Sequence, residues 1–397
     1  MSRARAEWSR WRWVIAVSIA VAVLLLWLSR DRPQPAAADP SSLPGMAPRP
    51  SRGDDRVAPS AASTAGLRGA ATHWPEVVSG AREAAAKGDA AVQAFVIALQ
   101  AGLDALPHAE RVRTVTAFLA SGEDVAFGDR FRLGPGGFLA FWPTLRVALL
   151  DYLAQRDGAA AREVAAAWLA TVPVEPGEWT VAFRELTRGR AYADWDPQWQ
   201  ARVRDFLGNE DWRRGARRAW LEGFDIIVAG RATPLLGELS DLTARPGPEG
   251  FAAFLAADRL MVADARGVLA SLDATPDLFA ANPRVRAGLF ARADPRDPVQ
   301  VEGVENYLRR ADLREDEAAH FAELFPFHGS AEASTLLSAP AHRSMAEMVA
   351  RDRAAVDALA RWEGQAALLR WRPLLLRARD RVQSGLVPLA AGKGAAK

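Results

Sequence analysis

The residues with chemistry to offer in this chain are carboxylates set among aromatic rings. Asp194 and Asp196 bracket Trp195, and Glu178, Glu222 and Asp225 lie in the same stretch as Trp179, Trp199, Trp212 and Trp220. Hydrolysis of a glycosidic bond needs two carboxyl groups about 5 to 10 Å apart, one serving as acid and the other as base or nucleophile. Asp194, Asp196, Glu222 and Asp225 are the candidates for that role. No local motif of a glycosidase surrounds them, so only the fold can bring them together. The polar turn Asp194-Trp-Asp-Pro, with Tyr192 before it and Trp199 after it, is also a candidate platform for a sugar ring or a peptide, because an indole offers a flat apolar face beside a polar edge. Trp195 and Trp199, with Arg213 and Arg217 of the basic ridge Arg213-Arg214-Gly-Ala-Arg217-Arg218, form the candidate partner surface.

Other chemistries find no foothold. The five histidines show neither His-x-x-x-His nor His-Glu-x-x-His spacing. Only His320, His328 and His342 are close enough in sequence to converge, with Glu317 or Glu323 beside them, and no metal or cofactor is expected. Cysteine is absent, which excludes thiolate sites, disulfides and the lipid-modified cysteine of a bacterial lipoprotein. Phe327-His-Gly-Ser330 lacks the second glycine and the strand of a nucleophile elbow. Gly134-Pro-Gly-Gly137 reads as a connection between helices that leads into a helix from Phe138. Fifty basic residues against 48 acidic ones leave a net charge of +2, too little for a general electrostatic claim on nucleic acid.

The elements that must position these residues are helices. Phe138, Phe141, Trp142, Leu145, Leu149, Tyr152 and Leu153 step by three and four toward an end near Asp157-Gly158. Val164, Trp168, Leu169 and Val172 carry the stripe into a next helix. Trp212, Ala216, Trp220, Phe224 and Ile227 repeat the pattern, as do Val304, Tyr307, Leu308 and Ala311, then Phe321, Leu324 and Phe325. No stretch alternates with period two, and prolines and glycines cut the chain into short helices. The stretch Leu145 to Leu169, an amphipathic helix, an Asp-Gly turn and a second helix with Arg162 and Ala165, resembles a HEAT-type repeat unit, and Asn209 to Leu221 is similar to another second helix. That resemblance implies an all-α, irregular stack of helix pairs, since one pair cannot cover its own apolar face. The basic residues Arg361, Arg370, Arg372, Arg377, Arg379 and Arg381 gather near the end, and the acidic Glu302, Glu305, Asp312, Glu315, Asp316, Glu317 and Glu323 just before. The basic group is a candidate contact for anionic lipid or cell-wall polymer.

Compartment comes from the other end of the chain. Trp13 to Leu28 is sixteen residues without a charge, including Val14, Leu24, Leu25, Leu26 and Trp27. As a helix it spans roughly 24 Å, and tryptophans at both ends extend it toward the ~30 Å hydrocarbon core. Arg3, Arg5, Arg10 and Arg12 before it keep the amino terminus in the cytoplasm. Ala36-Ala37-Ala38 would suit a signal peptidase, but Ala38 lies ten residues past Leu28, so an uncleaved anchor is the expectation. The resulting layout is a basic cytoplasmic tail (1–12), an anchor (13–29), a disordered Pro/Ala/Ser-rich linker (30–72), a helical exported domain (73–385) and a flexible tail (386–397). It is similar in outline to lipase-specific foldases, whose Arg-x-x-Phe-Asp-Tyr segment is not matched: Phe224-Asp225 is followed by Ile226 and preceded by Leu221. The expected function is a non-enzymatic scaffold or adaptor in the bacterial inner membrane, binding another protein in the periplasm. A cell-envelope hydrolase and a tethered periplasmic chaperone are the alternatives.

Overall fold

Proline opens helices here more often than it breaks them. It occupies the first turn of α1 (Trp74–Lys87), α6 (Pro176–Thr187), α7 (Pro197–Gly208), α12 (Pro248–Ala263), α14 (Pro283–Ala291) and α15 (Pro298–Arg309), where its missing N–H would have no intrahelical partner anyway. The remaining helices are α2 (Asp89–Asp104), α3 (His108–Ser121), α4 (Leu145–Arg156), α5 (Gly158–Ala170), α8 (Glu210–Gly215), α9 (Arg218–Gly223), α10 (Asp225–Ala229), α11 (Leu236–Thr243), α13 (Ala265–Ala274), α16 (Glu315–Leu324), α17 (Met345–Glu363) and α18 (Arg372–Ala391). The computed structural model describes residues 73–170, 175–215, 218–329, 336–338 and 343–391. The anchor from Trp13 to Leu28 and the linker at 30–72 lie outside them. Among the described residues no helix is long and apolar enough to cross a membrane.

The described residues are all-α apart from one small ribbon, and that ribbon corrects the reading of Gly134 to Trp142. Arg132–Leu133 (β1) pairs antiparallel with Leu139–Phe141 (β2), and Gly136 and Gly137 turn the chain between them at φ 68° and 76°. No helix starts at Phe138. Pro143 holds the residue before it extended, and α4 begins only past Thr144, whose Oγ1 accepts from the Val147 N–H at 3.2 Å. Phe141 and Trp142 are nonetheless buried, as their apolar spacing requires.

Helices pack on their second neighbours, α10 on α12, α12 on α14, α14 on α16, α16 on α18 and α13 on α15, and on some consecutive ones, α11 on α12 and α17 on α18. Upstream, α4, α5 and α6 pack on one another, and α6 on α9. The tryptophan-rich middle is core. Trp179 stacks on Phe183 and Phe206 at 4.5 and 4.0 Å, and Trp220 meets Phe224 edge-on at 4.8 Å.

Buried ion pairs run through this packing. Arg184 reaches Asp151 at 2.8 Å, both fully buried. Arg259 of α12 reaches Asp225 of α10 at 3.0 Å, while its neighbour Asp258 accepts a two-pronged bond from Arg292, just beyond α14. Both of these pairs join residues 34 apart in sequence, so α12 is fastened on two sides at one level. Such pairs add little net stability over an apolar contact of the same shape, but losing one partner strands a buried charge at a cost of about 3 to 5 kcal/mol. Their consequence is a fixed register between neighbouring helices.

Candidate binding groove

The residues singled out for catalysis go to different fates. Asp225 is 1% exposed, and its oxygens accept from the N–H groups of Leu337 and Ser338 at 2.6 and 2.8 Å, from the Ser338 hydroxyl and from Arg259. It is a fastening for the 336–338 segment. Glu222 is buried, 3.4 Å from the guanidinium of Arg218. Asp194 closes a short 3-10 turn and Asp196 precedes α7, both exposed to solvent. None of the four lines either of the two grooves described below. Trp195 and Trp199, the candidates for an open platform, are only 4% and 9% exposed. Trp195 lies against Phe183 and Tyr192 and donates to the Arg190 carbonyl at 3.4 Å. Its indole is held inside because Gly230 leaves room for it: a Cβ there would stand 2.5 Å from the Trp195 ring. Arg213 is buried beside Glu210 at 3.0 Å, and Arg217 lies outside the described residues. The histidines do not converge: His320 faces Glu323 at 3.6 Å, His328 is bonded to Asp352 at 2.7 Å, and His342 lies outside the described residues. Among the described residues no group of side chains is arranged to hold a metal ion.

A groove of about 370 Å³ forms where the end of α11 meets the starts of α12 and α14 and the middle of α16. Its geometry begins with a glycine. The chain turns from α11 into α12 so tightly that a Cβ on Gly250 would lie 2.1 Å from the Arg245 carbonyl oxygen and 3.2 Å from that of Leu242, and no side chain fits there. The close approach brings Phe251 and Phe254, 6.3 Å apart and tilted by 39°, to face Val285 of α14. These half-buried phenyls and the valine make an apolar floor. Thr243, Arg245, Asn282, Arg284 and His320 make the rim. The Asn282 amide donates to the Thr243 carbonyl at 3.4 Å, and the Phe279 N–H donates to Ser240 Oγ at 2.7 Å, tying the α11 end to the α14 start.

A buried clamp joins α14 and α16, the helices that carry Val285 and His320. Arg286, two residues after Arg284, donates from Nε and Nη2 to the two oxygens of Glu317 at 2.6 and 2.8 Å, and from Nη1 to the Pro276 carbonyl at 3.0 Å. The Tyr307 hydroxyl adds a bond to Glu317 at 3.0 Å. Burial and the adjoining carboxylate push the Tyr307 hydroxyl far above its ordinary range, so it stays a proton donor. Glu317 lies one helical turn before His320, so the clamp locks α14 and α16 at the spacing that defines the groove walls. A second, smaller groove of about 290 Å³ runs between α15 and α17, lined by Pro295, Pro298, Val301 and the mixed charges Arg296, Glu302, Glu305 and Arg361.

Residue pattern missed this site for a physical reason: its walls come from four helices spread over 78 residues of sequence, from Thr243 to His320. One signal was available. Asp258-Arg259 interrupts the apolar run Phe251 to Met261, and two adjacent opposite charges on a buried helix must each find a partner on a neighbour. Compared with protein-family models, curated proteins and solved structures, the chain matches none of them.

Proposed function

We propose that this protein is a membrane-tethered helical adaptor whose exported body holds a segment of another protein in the groove between α11, α12, α14 and α16. The observation that carries the reading is the groove's composition: a floor of Phe251, Phe254 and Val285, a polar and cationic rim, and the buried Arg286–Glu317 pair that joins two of the helices lining it. Its volume of about 370 Å³ is near the lower end for binding pockets, which suits one or two anchoring side chains of a peptide. The alternating contacts from α10 to α18 fit an irregular stack of helix pairs, the architecture that presents such inter-helix grooves along its length. The apolar run from Trp13 to Leu28, with its arginine-rich amino side, supports tethering to the inner membrane with the body in the periplasm.

The test is site-specific photocrosslinking in cells, with the photoreactive side chain at Phe254 in one strain and at the exposed Ile97 of α2 in another. The adaptor reading expects a discrete adduct from position 254 alone, lost when Arg284→Glu is added. Identical adduct patterns from the two positions, or none from 254, would refute it.

A further inference from the structure

The groove's charge identifies the kind of segment it receives. Of its nine lining residues two are arginines and one is a histidine, and not one is an aspartate or glutamate. Arg245 and Arg284 are exposed, and neither forms an ion pair with any described residue. Their neighbours in sequence contrast with them: Arg259, Arg286 and Arg292 are each in a buried ion pair. Asp241 and Glu249 each lie four residues from Arg245 without pairing to it, and Glu249 turns its carboxylate back over Gly247 at the start of α12. Positive charge therefore stands at two corners of an apolar floor with no carboxylate among the described residues paired to it, while His320 faces Glu323 at 3.6 Å.

Resting on the groove as the binding site, we infer that its occupant is an acidic peptide segment: one or two apolar side chains seated on Phe251, Phe254 and Val285, flanked by carboxylates that meet Arg245 and Arg284. A guanidinium matches a carboxylate with two parallel hydrogen bonds, and beside an apolar floor that match selects orientation and partner more than it adds affinity. The two phenyl rings are tilted at 39° and leave no parallel slot for a nucleic-acid base. They are also half-buried, which leaves little apolar surface for insertion into a lipid layer.

The experiment selects from a random peptide display library on the full-length protein in nanodiscs, followed by binding of the synthesised consensus peptide. The expected consensus carries Asp or Glu next to Leu, Ile or Phe. Its affinity should fall about tenfold in the Arg245→Ala, Arg284→Ala double variant, and Arg284→Glu should shift preference toward the same peptide with Lys in place of its acids. Both arginines are on the surface, so an unchanged thermal melt confirms that these variants are folded. A basic or uncharged consensus that still loses binding on Phe251→Ser overturns the acidic assignment and leaves the groove in place. Binding that survives both Phe251→Ser and the arginine changes, or a selection that enriches no peptide, overturns the groove itself and this inference with it.

Discussion

Glu178 should make the protein less stable as pH rises through neutrality, and Glu178→Gln should remove that dependence. Glu178 sits in the first turn of α6, 5% exposed, with Arg146 Nη1 at 3.3 Å. Burial pushes its carboxyl up from 4.5 to about 7, helped by the neighbouring Asp124 and Glu175 and opposed by Arg146. The folded state thus binds the proton more tightly than the unfolded chain does. Stability from this group is complete below pH 4.5 and is lost as pH climbs from there through 7. A displacement of that size corresponds to about 3 kcal/mol at full ionisation, taking ~1.4 kcal/mol per pH unit. Glutamine keeps the shape and the neutral charge at every pH, and Arg146 retains its position 4.4 Å over the Trp168 ring. In urea denaturation, Glu178→Gln should lie within about 1 kcal/mol of the wild type at pH 5 and exceed it by about 2 to 3 kcal/mol at pH 8, with an unchanged m-value. The comparison with wild type cancels the other buried carboxylates, which titrate in both proteins. A variant less stable than wild type at pH 8 would refute the reasoning, since it would mean that the ionised Glu178–Arg146 pair is a net gain.

Arg286→Leu should cost about 3 to 5 kcal/mol by leaving Glu317 buried without its cation, whereas Arg286→Leu combined with Glu317→Leu should recover most of that in a double-mutant cycle by thermal melting. Gly250→Ala should destabilise by about 2 to 3 kcal/mol, because the added methyl meets the Arg245 carbonyl and forces α11 and α12 apart; a urea midpoint equal to wild type would show that the turn can relax. Alkaline phosphatase fused at the carboxy end should be active, and a reporter that works only in the cytoplasm should be silent there, if Trp13 to Leu28 anchors the chain with its body outside.

Periodicity settled the class of structure and much of its punctuation. Apolar steps of three and four, with proline and glycine at the ends, are local properties, and a helix forms from local bonds. The end of α4 at Asp157 and the burial of Trp168 and Leu169 in α5 were legible for that reason. The ribbon at Leu133 to Phe141 was not, because the same spacing of Phe138, Phe141 and Trp142 buries equally well once a glycine turn and Pro143 have excluded a helix. The candidate site was the least legible part. An indole such as Trp195 reads alike as platform or core, and only the void above Gly230 decides which.

By itself, then, the chain's sequence determined helices, their ends, the freedom from cysteine chemistry and an apolar run suited to a bilayer, since each depends on residues within a few turns of one another. Tertiary structure alone decided which arginines are neutralised. Arg259, Arg286 and Arg292 find carboxylates 31 to 34 residues away across packed helices, while Arg245 and Arg284 find none among the described residues. Charge pairing over such separations depends on helix register, and register is set by the close approach at Gly250 and by core packing that no local pattern records.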